Sequence, residues 1–353
     1  MCNNRVDNVS LKSVFYRIKS ISKKDFKLGI FVYVLVSRRP FNRLLRTKFY
    51  RKTYMNHISK VYQKIQTPTR VDIEATNICN ADCVFCPRHS HTRKQKIMDM
   101  ELFKKIIGEL TGIKTLREIC LSGFGEPLLD KSLPEKIKYC KSKNSNWRTI
   151  IFSNGTYLDE DMSNKILDSG LDTINFSFNG GTKDIYEKTM KIDFDKTKSN
   201  IEKFIEVRNQ RGAKKPFVVL SCVLTKESLN DEIPFRNLWN NKADQVVVVK
   251  PHDWVGNIGQ DIINIGQTRY AAFPCRLILH PFINWDGVVS LCCHDYNEFT
   301  SFGNLNEQNF MDIWNSEKYK NFRQRNVDGK LESICAGCEV PITQSSKHWW
   351  EPV

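Results

Sequence analysis

The stretch TNICNADCVFCPR (Thr76–Arg88) decides how the chain is read. It follows VDIEA (Val71–Ala75), whose period-two alternation and β-branched residues mark a strand, so it places three cysteines in the loop at a strand's exit. Their spacing is Cys79-x3-Cys83-x2-Cys86. A structural zinc site closes a tetrahedron with four protein ligands, and this loop supplies one too few unless a distant residue completes it. A four-iron cluster held by three thiolates keeps one iron open for another ligand.

Beyond the loop, β-branched and aromatic runs alternate with amphipathic stretches to about residue 250. Strands are expected at Arg70–Thr76, Arg117–Ser122, Trp147–Ser153, Leu171–Phe178, Pro216–Leu224 and Gln245–Lys250. Helices are expected at Glu101–Leu110, Leu133–Lys143, Glu160–Ser169, Lys198–Gln210 and Asn230–Asn241. Six β/α units in series predict a parallel sheet, doubly wound or curled into a partial barrel. One face of the strands is polar, carrying Asp72, Glu74 and Thr76 in the first and Asn175, Ser177 and Asn179 in the fourth. A doubly wound sheet, covered on both faces, would read as continuously apolar. The alternation therefore favours an α/β fold built as a partial (β/α)6 barrel, with ligands near the C-terminal ends of the strands.

The organisation expected is a basic helical extension at 1–69, the partial barrel at 70–265 and a small α+β unit at 266–353. In that unit LILHPFINWDGVVSLCC (Leu277–Cys293) reads as a hairpin turning at Asp286-Gly287. A single helix follows near Gln308–Arg325, and CAGC (Cys335–Cys338) closes the unit.

Composition, at 41% hydrophobic and 26% charged over 353 residues, excludes disordered and collagen-like chains. The longest apolar run, LGIFVYVLV (Leu28–Val36), is about half the length a membrane span needs. It lies too deep for a signal peptide, so the chain is expected to be cytoplasmic. Residues 1–70 hold 17 of the 54 basic residues and only Asp7 and Asp25 of the acidic ones, a surplus that equals the whole chain's +15. Between Phe41 and Ile65 apolar residues mostly recur every three or four positions between basic ones. Such a segment is either a helical collar on the main domain or a helix lying peripherally on an anionic membrane face. Twelve cysteines without a signal peptide favour metal binding over disulfides.

A second Gly-rich loop, SGFGEP (Ser122–Pro127), follows the second expected strand. At these two loops the chain resembles the radical S-adenosylmethionine (SAM) enzymes, whose Cys-x3-Cys-x2-Cys motif carries an aromatic before the last cysteine, as Phe85 does here. The resemblance covers roughly residues 70–340. It implies that Cys79, Cys83 and Cys86 hold three irons of a [4Fe–4S] cluster and that SAM chelates the fourth. FGEP matches the family's Gly-Gly-Glu-Pro motif, with Phe124 where many members have Gly. Glu126 would accept hydrogen bonds from the cofactor's ammonium group, with Gly123 and Gly125 allowing close backbone approach. Ser153 and Asn154 fit the ribose or carboxylate contacts, and Ser177 is a further candidate.

Cys275, Cys292, Cys335 and Cys338 resemble the SPASM/twitch extension of the same family. They are enough to ligate one auxiliary [4Fe–4S] cluster rather than the two of the full seven-cysteine pattern. On ligand type alone zinc is an alternative, since four cysteines bind it well. Cys293 reads as a bystander or as a thiol lying beside that cluster. Cys120 and Cys222 on expected strands are either small buried residues or hydrogen donors to a substrate radical.

The resemblance implies an oxidoreductase or epimerase acting at a C–H bond of a carbohydrate or polyol, free or carrier-linked, with a flavodoxin or ferredoxin as electron donor. Radical modification of a ribosomally made peptide is the alternative. A third class, a zinc-bound protein gripping nucleic acid or membrane through RRPFNRLLRTKFYRK (Arg38–Lys52), leaves SGFGEP unexplained, so no nucleic acid is expected.

Overall fold

The computed structural model of the protein describes residues 67–249, 251–255, 257–259, 262, 275–331 and 333–338. The expected helical extension lies outside these residues but for 67–69, as do Lys250 and the junction 266–274.

Six strands, β1 (Arg70–Ile73), β2 (Glu118–Cys120), β3 (Arg148–Ser153), β4 (Thr173–Ser177), β5 (Phe217–Val223) and β6 (Gln245–Val249), pair in parallel, each beside the next in sequence. A doubly wound sheet reverses its direction of growth partway across, whereas this one grows one way throughout and curls as a partial barrel. It does not close. β7 (Phe282–Ile283) runs parallel to β1, through Asp72↔Phe282 and Ile73↔Ile283. β8 (Val288–Ser290) and β9 (Ser301–Asn304) follow antiparallel, giving the order β6-β5-β4-β3-β2-β1-β7-β8-β9. The C-terminal hairpin thus extends the barrel's own sheet. Its turn falls at Asp286-Gly287 as expected, with Gly287 at φ +87°, a conformation glycine adopts at little cost.

The helices are α1 (Met100–Leu110), α2 (Leu133–Lys143), α3 (Glu160–Leu167), α4 (Lys183–Met190), α5 (Phe194–Gln210), α6 (Glu232–Trp239), α7 (Phe310–Asn315) and α8 (Glu317–Val327). Aspartates start several of them: the side chain of Asp99 accepts from Glu101 N, Asp159 from Met162 N and Asp193 from Lys196 N. The Asp193 cap begins α5 four residues before the expected Lys198. The single helix expected near Gln308–Arg325 is two. Ser316 is extended (ψ 148°), and its side chain accepts from Tyr319 N, capping α8 and stopping α7.

The helix-covered face of the sheet carries Ile73, Ile119, Ile151, Ile174, Phe176, Val218 and Leu220, all fully buried against residues such as Phe103, Ile137, Phe204 and Trp239. At about 1.5–3 kcal/mol for each large apolar side chain, this layer is the main stabilising term. Polar residues are left for the concave face, where the site forms.

Candidate functional site

The cysteine loop is pinned at both ends. At its base Thr76 bridges Ile97, and the Asn77 side chain donates to Lys94 O (2.7 Å) and accepts from Lys96 N (2.8 Å). Further along, Val84 N donates to Thr189 O (3.0 Å), and Cys83 Sγ lies 3.4 Å from Met190 Sδ at the end of α4. Cys79, Cys83 and Cys86 are half-buried. Burial pushes the Cys79 thiol up to about 11 and raises Cys83 and Cys86, and the neighbouring thiols add to the effect at Cys83. Three thiols on one short loop, each held where negative charge is costly, are of the donor type that a cationic metal centre takes. Among the described residues, no three His, Cys, Asp or Glu side chains are gathered as for one metal ion.

Beside this loop stands the turn after β2. A side chain on Gly125 would place Cβ 2.5 Å from Thr76 O and 2.6 Å from Ile78 O, and one on Gly123 would meet Glu74 Cγ at 2.5 Å. These glycines let the turn lie directly on β1 and the cysteine loop, where Glu126 N donates to Ile78 O (2.8 Å). The Glu126 carboxylate is buried and accepts from Ser153 Oγ (2.7 Å), Asn154 N (2.6 Å) and Leu128 N (3.0 Å). Burial nevertheless pushes its pKa up to about 7. Glu126 therefore latches the turn after β2 to the end of β3. Asn154 extends the latch by donating to Asn80 Oδ1 (2.9 Å) inside the cysteine loop.

On the concave face the register sets Ser122, Phe152, Asn175 and Val219 side by side, with Ser177 and Ser221 above. Phe152 is 40% exposed although β3 is an inner strand, so this face is open. Ser221 Oγ donates to Asn175 Oδ1 (2.7 Å). Cys120 shares the face through its pairing with Asp72 and is buried. Cys222 does not: its pairing with Val248 puts it one step out of register with Ser221, in the helix-covered core. That placement removes Cys222 as a hydrogen donor to a ligand on the concave face. An open cleft of about 500 Å³ bordered by Lys141, Arg148, Asp172 and Lys215 lies at the opposite, N-terminal ends of β3–β5, away from the cysteine loop.

In the C-terminal unit Cys292 is buried, which raises its pKa; Cys293, Cys338 and Cys275 follow as nearby groups that would oppose its charge. Cys335 sits in a short 3-10 turn, with Cys338 N donating to Cys335 O (3.4 Å). Cys275 N donates to Asn326 Oδ1 (3.0 Å). Trp254 links the two cysteine sets: its Nε1 donates to Phe85 O (2.9 Å), and its ring lies 5.0 Å from that of His294, whose amide donates to Cys292 Sγ (3.5 Å).

Sequence reasoning passed over Phe152, Trp254 and the buried Glu74–Arg93 ion pair (2.8 Å). Glu74 was visible as a polar residue on a strand face. Its partner, across a loop, was not.

Residues 73–233 match the family model of the radical SAM superfamily, and residues 275–339 match SPASM, an iron–sulfur cluster-binding domain. The chain belongs to the radical SAM superfamily: it is a radical SAM enzyme with a C-terminal SPASM domain. Its cofactors are a SAM-binding [4Fe–4S] cluster, SAM itself and an auxiliary iron–sulfur cluster, which displaces the zinc reading. One relative is the tungsten-containing aldehyde ferredoxin oxidoreductase cofactor-modifying protein of Pyrococcus furiosus, 26% identical over 71% of this chain and 82% of that one. Another is the SAM-dependent 2-deoxy-scyllo-inosamine dehydrogenase of Niallia circulans, 25% identical over 79% of this chain and 96% of that one. Among solved structures, BtrN in complex with AdoMet and 2-DOIA superposes with TM-score 0.53 at 21% identity, covering 76% of this chain and 92% of that one. Streptococcus suis SuiB bound to precursor peptide SuiA superposes at 0.59 and 15% identity, covering 87% and 76%. Among the described residues no helix is long and apolar enough to cross a membrane.

Proposed function

We propose that the chain is a dehydrogenase that oxidises a carbohydrate- or polyol-type substrate, converting an alcohol carbon to a carbonyl. The observation that carries this reading is the likeness to the 2-deoxy-scyllo-inosamine dehydrogenase over 96% of that protein. The open concave face supports it, with a ring at Phe152 and polar side chains at Asn175, Ser177 and Ser221, the combination that suits a hydroxylated ring.

In this reading Cys79, Cys83 and Cys86 ligate the first cluster, and Cys275, Cys292, Cys335 and Cys338 the auxiliary one. When bound, the first cluster with SAM would supply hydrogen-atom abstraction and the auxiliary cluster one-electron oxidation, so that a C–H hydrogen atom, the hydroxyl proton (to solvent) and one electron together leave the alcohol. Gly123, Gly125, Glu126, Ser153 and Asn154 form the cofactor side, joined by Phe85, which lies within the cysteine loop and packs against the core. Because the Glu126 carboxylate already accepts three hydrogen bonds within the chain, its work is to hold the ends of β2 and β3 together. Ser177, two residues beyond Asn175 on the same face of β4 and paired with Ser221, is a further candidate contact for the cofactor. A flavodoxin- or ferredoxin-type protein supplies electrons, and the basic surplus of the N-terminal extension supports either a collar on the main domain or contact with an anionic membrane face.

The test is anaerobic reconstitution and reduction with SAM, offering 2-deoxy-scyllo-inosamine, inositols and unrelated peptides in parallel. The reading expects 5′-deoxyadenosine and a carbonyl product in equal amounts from a polyol. Product from peptides alone would replace it with peptide modification, and return of the polyol with inverted configuration would make the enzyme an epimerase.

A further inference from the structure

We propose that the Glu74–Arg93 ion pair is a positioning device that fixes the cofactor-side turn Phe124–Glu126 against the auxiliary-cluster unit. Glu74 is fully buried on the concave side of β1, and the Arg93 side chain is 7% exposed. Arg93 Nη2 donates to Glu74 Oε1 (2.8 Å) and Nη1 to Oε2 (2.9 Å), a two-pronged contact. Each carboxylate oxygen also accepts a backbone N–H from a different segment: Oε1 from Phe124 (3.2 Å) and Oε2 from Trp285 (3.3 Å). On its other side Arg93 donates through Nε to Tyr296 O (3.0 Å) and through Nη1 to Glu298 Oε1 (2.9 Å). Asn297 laces the same segments, accepting from Thr92 N (2.9 Å) and donating to Ser90 O (2.6 Å).

One ion pair therefore joins β1, the segment after the first cysteine loop, the FGEP turn and both flanks of Cys292. A buried ion pair is weak as a source of stability, since apolar residues of equal volume often serve as well. What a planar guanidinium fork adds is a fixed orientation. The two units cannot slide past each other without leaving a buried carboxylate short of donors, and that penalty keeps them in register. The Phe124 ring is part of the same joint, 5.8 Å from the Arg93 guanidinium and 6.3 Å from the Tyr296 ring.

The inference rests on the reading above that Phe124–Glu126 faces the cofactor. Its test uses the reconstituted holoenzyme, with iron content and the dissociation constant for SAM as readouts. Arg93→Lys keeps the charge and loses the fork; it is expected to retain its iron and bind SAM about tenfold more weakly. Glu109→Gln serves as the control, because Glu109 Oε2 accepts from Phe310 N (2.6 Å) and ties α1 to the same C-terminal unit elsewhere. It is expected to stay within twofold of the wild type. If Arg93→Lys sheds iron, Glu74→Gln, which keeps an acceptor of the same shape, is measured in its place. Binding within twofold of the wild type, or an equal loss in Glu109→Gln, overturns the proposal. A Gly125→Ala variant, whose new Cβ would displace the turn from Thr76 O and Ile78 O, separates the two layers: if it too binds normally, the cofactor assignment of the turn falls first.

Discussion

Replacing Gly125 by alanine tests how the turn after β2 is seated. The new Cβ would lie 2.5 Å from Thr76 O and 2.6 Å from Ile78 O, against ~3.5 Å for a relaxed contact between non-bonded atoms. Both obstacles are backbone in a pinned loop, so the turn must retreat by about 1 Å. The Glu126 N to Ile78 O bond, now 2.8 Å, would then stretch beyond hydrogen-bonding distance. Overpacking costs about 1–3 kcal/mol and an orphaned buried backbone pair about 1–3 kcal/mol, a combined loss of roughly 2–6 kcal/mol. That is a large part of a typical ~5–15 kcal/mol stability, though not all of it. A turn misplaced by ~1 Å should also weaken SAM binding by roughly 10- to 100-fold, the worth of one lost hydrogen bond to a charged group. Urea unfolding and equilibrium dialysis measure the two effects. Gly108→Ala in α1, where a new Cβ meets nothing within 4 Å, controls for the substitution itself and should be neutral or slightly stabilising. A Gly125→Ala protein that unfolds and binds as the wild type does would refute the reasoning.

Burial holds Glu126 at about 7, above its ordinary 4.5. Its contribution to stability is full below about pH 4.5 and is lost as pH rises through 7, a change of about 3 kcal/mol at ~1.4 kcal/mol per pH unit. Glu126→Gln should flatten the urea midpoint between pH 5 and 8 in the absence of SAM; an unchanged slope would count against this origin. Cys83→Ala should abolish 5′-deoxyadenosine formation on reduction while leaving auxiliary-cluster iron in place, and retention of that product would remove the loop from the chemistry. Cys222→Ala, in the helix-covered core, should cost about 1 kcal/mol of stability and leave product stereochemistry unchanged. Altered stereochemistry would restore its role as a hydrogen donor. Deleting residues 1–65 should weaken binding to anionic liposomes in a salt-dependent way, and unchanged partitioning would return the extension to the collar reading.

Features that depend on local chemistry were legible from the residues alone. The alternation Asp72, Glu74, Thr76 marked a polar face and hence a barrel, and the two motif loops lie side by side as their place after β1 and β2 implies. What was missed depends on partners distant in sequence or on caps within polar stretches. α4 (KDIYEKTM) is short and weakly patterned, and Ser316 looks like any helix surface residue until it is seen capping α8. β7 has two residues, too few for a pattern, and joins β1 only because the chain returns to it. Gly125 was legible as a position of close backbone approach, but not that the carbonyls of Thr76 and Ile78 are among the atoms it admits. Arg93 stands in RHSHTRKQK (Arg88–Lys96), where nothing separates a buried ion-pair partner from a solvated cation.

In the proposed function, the iron left without a thiol at the Cys79–Cys83–Cys86 loop binds SAM. Electron–nuclear double resonance on the reduced holoenzyme, with SAM labelled with nitrogen-15 at its methionyl amine, addresses it directly. The expected result is a nitrogen coupling that persists in Cys292→Ala and vanishes in Cys83→Ala. A reduced first cluster that shows no coupling to the labelled amine in the intact protein would contradict it.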